Sequence, residues 1–83
     1  MILNYKRKYV DVICLNDQLG NLKPLYLIWD DDKKIPIKKI KQVCNRASLK
    51  AGGSGLRYTC DFGNGNIRHL YLDKGRWFVE LYQ

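Results

Sequence analysis

The C-terminal third of the chain, residues 57–82, reads RYTCDFGNGNIRHLYLDKGRWFVELY. Three short runs rich in aromatic and branched residues, at 57–62, 67–72 and 77–82, are separated by GNGN at 63–66 and DKGR at 73–76. Asn-Gly and Lys-Gly pairs accept the positive φ angles that tight hairpin turns require. The pattern therefore predicts an antiparallel meander of three strands.

Two further strands are predicted upstream of this meander. Residues 5–15 are rich in Tyr, Val and Ile, and they end at NDQLGN (16–21), a run of turn-forming residues. The second strand covers residues 22–30, in which the apolar run LYLIW (25–29) suggests burial on both faces. Pro24 has no amide donor, so it belongs near the start of that strand or at an edge of the sheet. The charged run DDDKK (30–34) then reverses the chain.

Residues 35–47 fit two structures. As a helix they would place Ile37, Ile40, Val43 and Cys44 in one stripe. As a plain strand they show no clean alternation, but a β-bulge near Lys38 and Lys39 would return Ile40 to the face of Ile37. We favour the bulged strand, and we expect a helical turn at 47–50 and a flexible glycine loop at 51–55.

These elements predict an all-β fold. Six strands in sequential hairpins, with no helix long enough for a parallel crossover, form an antiparallel sheet that curls on itself. The expected architecture is a small SH3-like barrel or roll with its strands in meander order, because closure leaves few open edges. With 83 residues, the chain forms one domain, residues 1–83, with little room for an enclosed active site.

Composition excludes several protein classes. No apolar run reaches the ~18 residues of a membrane span, and the first charges follow the apolar residues instead of preceding them as in a signal peptide. A cytoplasmic location is therefore expected. The three cysteines, Cys14, Cys44 and Cys60, are odd in number and far apart. This spacing argues against a disulfide framework or a zinc site and favours buried small apolar residues.

Several short stretches resemble a family of small uncharacterised bacterial proteins. They are PL at 24–25, IWDD at 28–31, GGSGLRY at 52–58, LYL at 70–72 and RWFVE at 76–80, and the match covers about residues 23–80. The chain departs from the family pattern at Asp32, where Gly is favoured, so the turn after Trp29 is expected to be wider. The resemblance implies β structure across residues 35–43 and implies no particular activity.

No catalytic or cofactor site is predicted. His69 is the only histidine and has no nearby nucleophile in the sequence, so a packing or edge role is expected. The loop at 52–55, Gly-Gly-Ser-Gly, could form an anion nest, but it lacks the Gly-Lys-Ser/Thr and the helix of a P-loop. The aspartates at 30–32 lack the spacing of a calcium loop. We therefore expect neither an enzyme nor a bound metal.

Charge and aromatic content give the functional expectation. The formal net charge is +7, and a basic surface attracts polyanions, although basicity can also serve solubility alone. The ten aromatic residues exceed what one small core holds, so some are expected at the surface, where bases of single-stranded nucleic acid could stack on them. Alternatively Trp29, Tyr58, Phe62 and Trp77 build the core and the other tyrosines cap its ends.

The leading hypothesis is a noncatalytic, basic, monomeric or weakly dimeric module that contacts nucleic acid electrostatically. The alternative is a protein-interaction domain that uses a sheet edge or its basic face to bind an acidic protein surface. If the first three strands are neighbours, the cations at 6–8 and the lysines at 33, 34, 38, 39 and 41 are expected to share one face. The candidate nucleic-acid-binding residues are Lys6, Arg7, Lys8, Lys33, Lys34, Lys38, Lys39, Lys41 and Arg57.

Overall fold

A computed structural model describes residues 5–45 and 55–82 of the chain. These residues form seven strands and the turns between them, with a tight turn at Asp30–Asp32. Within the described ranges, no helix is long and apolar enough to cross a membrane. The strands are β1 (Tyr5–Asn16), β2 (Leu22–Ile28), β3 (Lys34–Pro36), β4 (Lys39–Cys44), β5 (Leu56–Asp61), β6 (Ile67–Asp73) and β7 (Arg76–Tyr82).

All seven strands belong to one antiparallel sheet with the order β3-β2-β1-β7-β6-β5-β4. Neighbours in the sheet are consecutive in the chain except at the centre, where β1 pairs with β7. The sheet curls into a half-barrel because β3 and β4, which lie at its two ends, are joined by only two residues. The predicted all-β class and small antiparallel barrel or roll are therefore confirmed.

The turns of the terminal meander have the backbone geometry that the sequence predicts. Asn64 and Gly65 have φ angles of 54° and 76°, and Lys74 and Gly75 have 52° and 76°. Two consecutive residues with positive φ are typical of the type I′ hairpin turn, whose twist matches that of the flanking strands. The three predicted strands accordingly appear as β5, β6 and β7, shifted by about one residue at their ends.

The predicted third strand is two strands, which raises the count from six to seven. The predicted bulge position near Lys38 and Lys39 is also wrong, because the register shift against β5 lies between Ile40 and Gln42. The chain instead bends at residues 37–38 between β3 and β4. This bend still lets Ile37 and Ile40 pack against the same core, as the strand interpretation required, and the helical alternative is wrong.

The bend closes one corner of the barrel. The amide of Ile37 donates to the carbonyl of Leu25 in β2 at 2.9 Å, and the next amide, Lys38, donates to the carbonyl of Asp61 in β5 at 2.9 Å. One dipeptide therefore ties together two strands that are far apart in the sheet order. The predicted turn at 47–50 and residues 51–54 of the glycine loop lie outside the described residues.

The concave side of the sheet holds the main core. Leu27, Tyr58, Cys60 and Leu70 are buried there. Half-buried side chains pack around them, including Trp29, Phe62 and Trp77. The expectation that Trp29, Tyr58, Phe62 and Trp77 build the core is therefore confirmed, with the rings of Tyr58 and Trp77 5.2 Å apart.

A second apolar layer covers part of the convex side of the sheet. Phe78 follows Trp77 on β7 and therefore points to the opposite face, yet it is fully buried, and Tyr71 beside it on β6 is 4% exposed. Their rings stack at 5.1 Å, and the ring of Tyr9 lies 5.6 Å from Phe78. The guanidinium of Arg7 lies 4.4 Å above Phe78. The sheet is thus packed on both sides near β7.

The buried thiol of Cys60 predicts a loss of stability at alkaline pH. Burial raises its pKa from 9.0 to about 11, so the folded protein keeps a proton that the unfolded chain loses. The contribution is fully present below pH 9 and disappears as the pH rises through 11. At 1.36 kcal/mol per unit, the free energy of unfolding should fall by roughly 2 to 3 kcal/mol over that interval.

Urea denaturation between pH 8 and 11 measures this loss. Burial also raises the pKa of Tyr58, so part of the decline above pH 10 belongs to that hydroxyl. Cys60→Ala removes only the thiol and should show a shallower decline than the wild type. Equal declines in both proteins would contradict the assignment to Cys60.

Candidate nucleic-acid interface

The barrel stays open along one side, between β2 and β4. Beyond the closed corner, residues 22–24 of β2 pair only with β1, and β4 pairs only with β5. The two strands line a pair of clefts between them. We call this opening, from the corner at Ile37 to Val43, the seam.

Three lysines surround the cleft nearest the corner, which has a volume of about 370 Å³. Lys23 comes from β2, whereas Lys38 and Lys39 come from the bend and the start of β4, and all three are exposed. Among the described residues, no carboxylate lines this cleft. Its apolar lining consists of Pro24, Leu25, Ile37 and Ile40.

The second cleft, of about 410 Å³, lies at the open end of the seam. Leu22 and Val43 line it and remain 38% and 49% exposed, whereas Tyr58 at its base is 4% exposed. The Tyr58 hydroxyl donates a hydrogen bond of 3.1 Å to the Leu22 carbonyl, so it links β5 to β2 across the seam. Lys41, exposed at the β4 bulge, adds a fourth cation to the seam.

Several predicted binding residues near the Asp30–Asp32 turn lie close to carboxylates or aromatic rings. The Lys8 ammonium is 3.0 Å from an Asp30 carboxylate oxygen and 5.2 Å from the Trp29 ring. Lys33 follows the three aspartates of the Asp30–Asp32 turn directly, and the Lys34 ammonium lies 4.5 Å above the Tyr26 ring. Nearby carboxylates reduce the positive electrostatic potential that these lysines produce in the solvent around them.

Carboxylates also lie opposite two arginines of the convex face. In the strand register Arg7 lies directly opposite Glu80, and Arg76 lies directly opposite Asp73. Arg57 is half-buried, donates to the Cys44 sulfur at 3.9 Å, and has a buried Nε with no hydrogen-bond acceptor among the described residues. These positions suit guanidinium groups that cover the aromatic layer better than groups that bind an external phosphate.

The nine predicted binding residues are therefore distributed over different surfaces. Strands β1, β2 and β3 are neighbours, as expected, but side chains alternate along β1, so Arg7 lies on the face opposite Lys6 and Lys8. Lys38, Lys39 and Lys41 lie along the seam. Lys23 was missed, although its position next to Pro24, a residue typical of sheet edges, was a usable signal.

His69 lies on the convex face with no catalytic arrangement around it. Its Nδ1 is 3.3 Å from the Thr59 hydroxyl, and its ring is 6.4 Å from that of Tyr71. Partial burial and the Arg57 charge lower its pKa, which favours the neutral imidazole. In the part of the chain that the structure describes, no group of His, Cys, Asp and Glu side chains is arranged to hold a metal ion.

Known proteins give no indication of what this chain does. No family model matches the chain, and no curated protein or solved structure shows significant similarity to it.

Proposed function

We propose that this protein is a noncatalytic module that binds the phosphate backbone of nucleic acid along the seam. The observation that carries the proposal is that Lys23, Lys38 and Lys39 line one cleft whose described lining contains no carboxylate. Lys8, Lys33 and Lys34 lie beside carboxylates or rings, whereas the described cleft lining contains no carboxylate, although Asp61 lies opposite Lys39 in the strand register. Lysine ammonium groups bind phosphates as point charges without selecting a base.

The composition of the seam favours binding that is independent of sequence. The aromatic residue that lines it, Tyr58, is 4% exposed and uses its hydroxyl within the protein. A base therefore has no ring to stack on in the described lining, and affinity comes from counterion release. A cytoplasmic location suits this role, because the three cysteines are free and nucleic acid is the abundant polyanion there.

One observation favours the alternative, a protein-interaction domain. An extended peptide could pair with the open edge of β4 and cover Val43, which is 49% exposed. However, β4 carries Lys39, Lys41 and a bulge along this edge. Charged side chains and bulges are the features by which proteins prevent a strand from adding to a sheet. The edge therefore fits a phosphate backbone better than a peptide strand.

Salt dependence tests the proposal directly. If four seam lysines each neutralise one phosphate, the slope of log K against log salt should be about −3.6 on duplex DNA and about −2.8 on single strands. Fluorescence anisotropy with labelled duplex and single-stranded oligonucleotides, between 20 and about 200 mM salt, measures both slopes. Absence of binding at the lowest salt concentration would reject nucleic acid as the ligand and leave the peptide alternative.

A further inference from the structure

The convex face carries an apolar surface that the seam does not use. Tyr9, Ile13 and Leu15 are 44%, 40% and 50% exposed, and they occupy alternate positions of β1 on the side away from the main core. Outward positions on a small barrel are ordinarily polar, because side chains alternate between core and solvent. Three exposed apolar side chains on one strand face, interrupted by Asp11, therefore call for a functional explanation.

Strand β2 widens this surface. Tyr26 lies opposite Ile13 in the register and Ile28 lies opposite Asp11, so both point outward beside β1, and both are half-buried. Neighbouring strands lie about 4.8 Å apart, so the two strands present a surface about 10 Å wide. We call the five residues Tyr9, Ile13, Leu15, Tyr26 and Ile28 the apolar stripe.

Positive charge borders the apolar stripe. Lys23, which also lines the seam, lies opposite Leu15, and Lys34 lies opposite Ile28 with its ammonium over the Tyr26 ring. The Arg76 guanidinium stacks 3.8 Å from the centre of the Tyr9 ring. Two carboxylates also lie at this surface, since Asp11 stands between Tyr9 and Ile13 and Asp73 lies opposite Arg76 in the register. A partner that complements this surface is therefore apolar along its centre and acidic along its margins.

We propose that the apolar stripe docks an amphipathic helix of a partner protein whose apolar side is flanked by Asp and Glu. The six residue steps from Tyr9 to Leu15 span about 20 Å of strand, the length of about 13 helical residues. The width of two strands matches the ~10 Å diameter of a helix. A second copy of this chain fits less well, because two stripes in a symmetric dimer would bring like-charged margins together.

A designed helical peptide tests this proposal. The probe is a fluorescein-labelled 16-residue peptide with leucines on one side and glutamates along both margins, titrated with the full chain in an anisotropy assay. We expect saturable micromolar binding that weakens at least tenfold when the glutamates become lysines. Ile13→Ser combined with Leu15→Ser should weaken binding at least tenfold, whereas Leu19→Ser, at an 80% exposed turn position, should not.

The same assay separates this surface from the seam. Lys38→Glu with Lys39→Glu should reduce oligonucleotide binding and leave peptide binding unchanged, so either proposal can fail without the other. Three results would overturn the docking proposal: no peptide binding at millimolar protein, equal binding of the lysine peptide, or normal binding by the folded Ile13→Ser/Leu15→Ser protein. A dimer that this double variant abolishes would assign the stripe to self-association instead.

Discussion

Replacement of Phe78 by alanine is expected to lower the free energy of unfolding by about 3 to 5 kcal/mol. The side chain is fully buried on the convex face, where its ring stacks on Tyr71 at 5.1 Å and lies beneath the Arg7 guanidinium. Truncation would leave a cavity under a layer of rings that cannot collapse without moving two other strands. Domains of this size are stable by about 4 to 12 kcal/mol, so the substitution is expected to remove at least about a quarter of the free energy of unfolding.

Urea denaturation followed by tryptophan fluorescence measures this effect. Phe78→Leu keeps most of the apolar volume and should cost about half as much or less. Leu81→Ala is the matched control, because Leu81 lies on the same strand and is 37% exposed, and its cost should stay below about 1 kcal/mol. A Phe78→Ala protein that unfolds at the wild-type urea concentration would show that the convex layer contributes no packing energy.

For strand β7, the sequence predicted the strand and its inward face but not the burial of its outward face. The Lys74-Gly75 turn identified the strand, and the placement of Trp77 in the core identified its inward face, since side chains on a strand alternate strictly. However, alternation identifies the buried side chains of a strand only if one face is buried and the other is exposed. Phe78 is buried because Arg7, Tyr9 and Tyr71 cover it. The meander predicted that the strand of Tyr71 is next to β7, but the sequence did not determine that β1, which carries Arg7 and Tyr9, pairs with β7 on its other side.

The seam could not be predicted from the sequence for a different reason. A count of lysines predicted a basic surface, but which cations remain uncompensated depends on pairs such as Lys8 with Asp30, 22 residues away in sequence. The interruption at residues 37–38 was also hidden, because the bend is stabilised by hydrogen bonds to β2 and β5 and no Gly or Pro occupies it. Local propensity identifies strands and turns, whereas gaps and charge compensation follow from tertiary pairing.

Reversal of the four seam charges is expected to abolish nucleic-acid binding. In the variant Lys23→Glu, Lys38→Glu, Lys39→Glu and Lys41→Glu, four phosphate contacts become repulsions, and a loss of at least 100-fold at about 50 mM salt is expected from the counterion-release relation. All four side chains are exposed, so the fold should survive, and circular dichroism with urea denaturation would verify this.

A matched variant distinguishes binding at the seam from binding that depends only on net charge. Lys6→Glu, Lys33→Glu, Arg68→Glu and Lys74→Glu change four exposed cations away from the seam, and either variant lowers the formal net charge from +7 to −1. If phosphates bind at the seam, the control loses only long-range attraction, which salt screens over about 8 to 10 Å, and keeps measurable affinity and most of its salt slope. Equal losses in the two variants would mean that binding follows net charge, and the seam would then not be the site.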